Sequence, residues 1–201
     1  MNQEQLWKAK WRDAKILPAN AFAKRSFALL SQNHKTLLDL GCGLGRDSMY
    51  FAKKGLLVTA VDFSDTGLDK IPRGFSNLKV VEQSIDNLKF KSNSFDVIYA
   101  HLSLHYFDDQ TTTQIFNKLY SILNKNGLIF IKCKSTDDNL FGKGRKIAPN
   151  MFIRNKHIRH FFTKEYMRNK LSKFEIIKVR KNSSVYHDYK SAFIEAIARK
   201  K

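Results

Sequence analysis

Short apolar runs alternate along the chain with longer amphipathic segments, and the two periodicities predict different elements. Runs at Thr36–Leu40, 57–61, Leu78–Glu82, 95–100 and 128–133 predict strands, while Arg46–Lys53, 64–71 and 111–124 predict helices between them. Ser64 and Thr111 are suited to cap helix starts, and Gly55 and Gly127 to close helix ends. Strands alternating with helices predict an α/β, doubly wound, mostly parallel sheet covered on both faces. Residues 3–30 read as helical, with Leu6, Trp7, Trp11 and Ile16 apolar, so that 1–33 forms a cap across the sheet or over a pocket. Trp7 and Trp11, one helical turn apart, either roof an acceptor pocket or fill an ordinary apolar helix face. After the fifth run, 135–160 is polar, basic and irregular, with Gly142, Gly144 and Pro149, which predicts a substrate lid over 135–162. A helix over 163–171, capped by Thr163, and two more strands at 174–180 and 192–199 complete the chain. No linker or repeat divides it, so 1–201 is read as a single domain.

Composition narrows the class. A chain of 201 residues with 43% hydrophobic content suits a globular domain, and its apolar runs are too short to cross a bilayer. The first 17 residues are broken by Glu4, Lys8, Lys10, Arg12, Asp13 and Lys15, which argues against a secretory signal and for the cytoplasm. Two cysteines, Cys42 and Cys133, exclude a disulfide framework or a multi-cysteine zinc site. The net charge of +18 draws anionic partners, RNA or a small anion, although a Lys-, Asn-, Ile- and Phe-rich composition produces the same excess without function. Residues 142–181 hold 13 Lys and Arg against Glu165 and Glu175, with no RNA-binding motif among them.

The chemistry concentrates in Asp39-Leu-Gly-Cys-Gly-Leu-Gly45, where an apolar strand runs into three alternate glycines and then a helix. Glycine lets a ligand approach the backbone, and the following helix start presents unpaired N–H groups. Asp62 ends the second strand, where a carboxylate accepts hydrogen bonds from ribose hydroxyls. The spacing is G-x-G-x-G; a dinucleotide fingerprint needs its third glycine where this chain has Arg46.

From Thr36 to Cys133 these motifs resemble the class I S-adenosylmethionine-dependent methyltransferases. The resemblance implies a Rossmann-like, seven-stranded sheet with an antiparallel last strand. It also implies that Asp39, Gly41, Cys42, Gly43 and Gly45 hold the methionine end of S-adenosyl-L-methionine, with Arg46 beside its carboxylate. Asp62 would hold the ribose and Phe63, Ser84, Ile85 and Asp86 the adenine; many relatives carry an acid where this chain has Ser84. His101 is assigned to the cofactor, and His105 and Tyr106 to the substrate side or to packing at the sheet edge. His105 and His187 are the eligible general bases. Gly45 to Tyr50 and Ala198 to Lys200 are similar to the tellurite-resistance branch, whose members methylate small substrates; there a His-Arg pair precedes the last strand, and here Asp188 follows His187. Asp137-Asp138-Asn139 reads as a loop and no metal is expected. The expected function is methyl transfer to a small acceptor, with an RNA methyltransferase or a noncatalytic cofactor-binding module as alternatives.

Overall fold

A computed structural model describes residues 3–186 and 189–201. Seven strands form one sheet: β1 (Thr36–Leu40), β2 (Leu57–Asp62), β3 (Leu78–Glu82), β4 (Phe95–His101), β5 (Leu123–Lys134), and the pair Glu175–Tyr186 and Tyr189–Arg199, labelled β9 and β10. Their order is β3-β2-β1-β4-β5-β10-β9, and β10 alone runs antiparallel, between β5 and β9. Alternation along the strands divides the core. Leu38, Ile98 and Ile131 face one layer of packing, while Leu37, Tyr99 and Phe130 face the other, where Phe51 and Phe22 meet them. Each such side chain, fully buried, contributes about 1.5–3 kcal/mol.

The helices are α1 (Gln3–Arg12), α2 (Ala21–Phe27), α3 (Arg46–Lys53), α4 (Asp65–Leu68), α5 (Asp109–Ile122) and α6 (Lys164–Lys170). None among the described residues is long and apolar enough to cross a membrane. The helical N-terminus is two helices rather than one, with Pro18 between them and the Asn20 side chain accepting from Ala23 N to start α2. The second helix of the α/β alternation shrinks to the single turn α4. The third starts earlier than Thr111, because Asp108 caps it, accepting from Thr111 N at 2.7 Å. It also ends earlier, passing straight into β5. Gly127 is therefore no helix cap. It lies inside β5, where a Cβ would stand 2.8 Å from Asn124 O and 2.9 Å from Asp96 O.

The segment expected to be irregular is ordered. Arg145–Ala148, Met151–Arg154 and His157–His160 form β6, β7 and β8, a three-stranded antiparallel sheet. Its turns place Asn150, Asn155 and Lys156 at positive φ, a conformation that asparagine tolerates better than most residues. A bridge between Ser135 and Phe162 closes the base of this excursion at the end of β5.

Asp96 fastens the opposite end of the sheet, where β1, β4 and β5 begin. Its Oδ2 accepts from Lys35 N, Thr36 N and Thr36 Oγ1, each at 2.9 Å, and its Oδ1 from Asn124 Nδ2 at 2.7 Å. Partial burial opposes the charge, but these bonds outweigh it and hold the carboxyl below its ordinary range. Asp96→Ala is expected to lower stability by about 1–2 kcal/mol, read as a lower urea midpoint at unchanged slope. A depressed folded pKa favours folding above the unfolded value, so the difference from native should shrink as pH falls below about 4.

Candidate active site

The carboxyl ends of β1, β2 and β4 meet at the glycine bend. Gly41 N and Cys42 N donate to Val61 O at 2.7 and 3.0 Å, which ties the bend to β2. Gly41 has φ +68°, and a Cβ there would lie 2.4 Å from Ser103 Cβ; at Gly43, φ +55°, one would lie 2.9 Å from the Trp11 ring. Side chains are excluded at both positions by conformation and by space.

Three carboxylates crowd this bend, and their partners differ. Asp62 Oδ2 accepts from Gly43 N at 2.8 Å and its Oδ1 from Ser64 N at 3.0 Å. A carboxylate has about four acceptor positions, so capacity for two hydroxyls remains. Asp47 is held by Asn20 through its backbone N–H at 3.0 Å and its side-chain amide, and by the Tyr99 hydroxyl at 3.1 Å. Arg46 Nε stands 3.7 Å from it, too far to hydrogen-bond, and that buried N–H has no acceptor. Asp39, 2% exposed, accepts from Ser48 Oγ at 2.5 Å and has no cationic partner among the described residues. Burial first, and then the neighbouring Asp47 and Asp62 charges, push its carboxyl up to about 8, with the Ser48 hydrogen bonds opposing. Burial likewise raises Asp62 and Asp47.

A cavity of about 620 Å³ opens over these groups. Of the residues singled out from the sequence, Asp39, Gly41, Cys42, Gly43, Arg46, Asp62, Phe63, Ser84, Ile85, His101 and Tyr106 line it. Gly45 lies behind it against Ile71. Asp86 stands off the cavity and takes the Ser84 hydroxyl as a hydrogen-bond donor. His105 is 1% exposed and outside the lining, its ring 4.4 Å from that of Tyr106 and its Nδ1 without a partner. His187 lies outside the described residues.

Burial, with Lys132 and Arg46 close by, pushes the His101 imidazole down to about 3, so it is neutral in ordinary buffers and a weak base. Burial also pushes the Tyr106 phenol up to about 12, keeping it protonated. The cavity therefore holds and orients a ligand better than it accepts a proton through either ring. Two contributors carry no sequence signal of their own: Ser103, whose buried Oγ is unpartnered behind Gly41, and Lys10 in the roof.

That roof comes from α1, with β8 packed against it. Trp7 and Trp11 stack at 5.4 Å, and Trp7 meets Tyr106 edge-on at 5.4 Å and His157 at 5.8 Å. A Lys8–Asp65 pair at 3.1 Å and the Lys70 ammonium, donating to Arg12 O and Ala14 O, fasten α1 beside α4.

Residues 37–127, which contain the bend, Asp62 and His101, match a family described as a methyltransferase domain. Over that stretch, under half of the chain, the sequence is similar to methyltransferase domains. A Geobacillus sp. protein named as a methyltransferase is 32% identical over 111 residues, 52% of this chain and 44% of that one, so the chain spans under half of that relative's length. Among solved structures, 1,6-didemethyltoxoflavin-N1-methyltransferase of Burkholderia thailandensis, holding its acceptor and S-adenosylhomocysteine, superposes with TM-score 0.71 at 20% identity, over 98% of this chain and 84% of that one. TehB of Haemophilus influenzae, a tellurite-resistance methyltransferase, gives 0.71 at 17% identity, over 98% and 67%. These likenesses show the shared fold.

Asp39 makes the free site self-repelling, with a definite sign. A carboxyl raised to about 8 on folding favours the folded state fully below its unfolded value of about 4, and that contribution falls away as pH rises from there to about 8. Asp39→Asn keeps an acceptor for Ser48 and removes the charge. The ligand-free variant should melt near the native temperature at about pH 4 and pull steadily above it up to about pH 8, with the gap constant beyond, as followed by circular dichroism.

Proposed function

We propose that this chain transfers a methyl group from S-adenosylmethionine to a small, anionic acceptor in the cytoplasm, with residues 1–201 acting as one catalytic unit. The observation that carries the reading is the cation-poor acidic bend: a buried Asp39 without a counter-charge beside a cavity of about 620 Å³. A buried carboxylate is costly unless paired, and a ligand ammonium supplies the missing partner.

The residues fit such a ligand. Asp39 would accept from its ammonium, the unpartnered Arg46 Nε would donate to its carboxylate, and Asp62 would accept from two ribose hydroxyls. Phe63 and Ile85 offer apolar sides for a base. S-adenosylmethionine supplies a methyl group already activated on a sulfonium. The protein's share is then alignment and exclusion of water, which positioning alone makes effective. Trp7, Trp11 and Phe107 shield the cavity, while Tyr106 stays protonated and turns one edge of its ring to Trp7. A cavity roofed in this way favours a small molecule over a polynucleotide. The two free thiols, Cys42 and Cys133, suit a reducing compartment.

Calorimetric titration with S-adenosylhomocysteine should show one site, weakened about tenfold or more by Asp39→Asn and by Asp62→Ala. Because the ligand favours ionised Asp39, binding below the free-state value of about 8 must expel its proton. Affinity should climb between about pH 5.5 and 7.5, with proton release in buffers of differing ionisation enthalpy. Saturation at a hundredfold excess over the dissociation constant should stabilise the native chain by about 2.7 kcal/mol. Absence of binding heat sinks the proposal, and a flat pH profile removes Asp39 from it.

A further inference from the structure

The cavity has two electrostatic ends. Its floor is the acidic bend of Asp39, Asp47 and Asp62, offset by Arg46. Its roof carries no carboxylate among the described lining residues. There the Lys10 ammonium sits 4.2 Å above the Trp7 ring and 5.2 Å from that of Trp11, and Lys10 forms no ion pair among the described residues. Burial of that ammonium and the nearby Arg159 charge both press on Lys10 to lose its proton. His157, packed edge-on to Trp7, adds a buried Nδ1 with no hydrogen-bond partner. The two indole faces attract the cation, and the Arg159 charge opposes them. An anion at this spot would relieve the Lys10–Arg159 repulsion.

The floor demands the opposite charge. An acceptor whose anionic group lies at the roof is therefore turned with its remaining end toward the acidic floor. The excess of Lys and Arg in 142–181, which includes β6, β7 and β8, favours the approach of such a molecule.

We propose that Lys10, framed by Trp7 and Trp11, is the specificity-determining anion subsite of the acceptor pocket, so that the acceptor is a small molecule bearing a carboxylate or a phosphate. The inference rests on the methyl-transfer reading of the same cavity and deepens it.

Trp7 and Trp11 are the chain's two tryptophans, so intrinsic fluorescence reports on the roof. The test titrates inorganic phosphate into the full chain at constant ionic strength, balanced with sodium chloride, both with saturating S-adenosylhomocysteine and without it. A saturable phosphate response that chloride does not reproduce is expected. Lys10→Met should weaken it about tenfold or more, and Lys10→Arg, which keeps the charge, should stay within about threefold of native. No saturable response in the native chain, or an unchanged curve in Lys10→Met, overturns the subsite. Lys10→Arg and thermal melts guard against a folding defect. Calorimetric uptake of S-adenosylhomocysteine in the same samples separates the two ideas: uptake without a phosphate response sinks the subsite alone, and failed uptake sinks the transfer reading whatever phosphate does.

Discussion

Negative charge crowded into a backbone bend governs this molecule. Asp39, Asp47 and Asp62 converge where β1 and β2 end, in a place nearly closed to water, and burying ionised groups there is unfavourable unless each finds partners. Two of them do. Asp62 is stabilised by N–H groups of the bend and of the turn after β2, and Asp47 by Asn20 and Tyr99. Asp39 has a serine hydroxyl and no cation among the described residues, and this shortage, with burial, raises its carboxyl to about 8. The same bonds also build structure, because Asn20 links the start of α2 to Asp47 on α3, carrying the N-terminal segment onto the sheet.

Over this acidic floor the protein assembles an aromatic, basic roof from elements far apart in the chain. α1 comes from the N-terminus and β8 from the excursion between β5 and α6, and Trp7 touches rings of both β8 and the segment after β4. The excursion is closed at its base by the Ser135–Phe162 bridge and stiffened by its own hairpins. Roof and floor thus impose opposite charge preferences on one cavity, and opposed ends orient a ligand as well as hold it.

Not all of the positive charge belongs to that cavity. Glu195 on β10, buried, accepts from Arg25 at 2.9 Å, from Arg180 at 2.7 and 3.0 Å and from Asn182 at 2.8 Å, with Lys132 3.5 Å away. One buried acid therefore joins α2, β5, β9 and β10. Part of the lopsided composition of 142–181 serves this junction, which is why charge counting along the chain did not separate a binding surface from a structural one.

Local signals carried far in this sequence. β1, β3 and α3 occupy the spans that periodicity marks, and the alternate glycines lead from strand into helix because few other residues tolerate so close an approach at positive φ. Asp62 follows from its place at the end of β2, since parallel pairing sets that end beside the bend. These features depend on neighbours a few residues away or on strand register. The hairpins of 145–160 were hidden because their turns rely on Asn150, Asn155 and Lys156 at positive φ, a weaker cue than glycine. Whether a side chain after β4 faces the cavity was hidden too: the 3-10 turn at Leu104–Tyr106 leaves Tyr106 in the lining and His105 beneath it. Nothing in the sequence sets Lys10 apart from other lysines; Trp7 and Trp11 around it do. Sequence alone determined the glycine bend, because steric and spacing rules act locally. The roof's charge and the facing of each ring were decided by tertiary packing, because they depend on contacts between segments more than a hundred residues apart, such as Trp7 with His157.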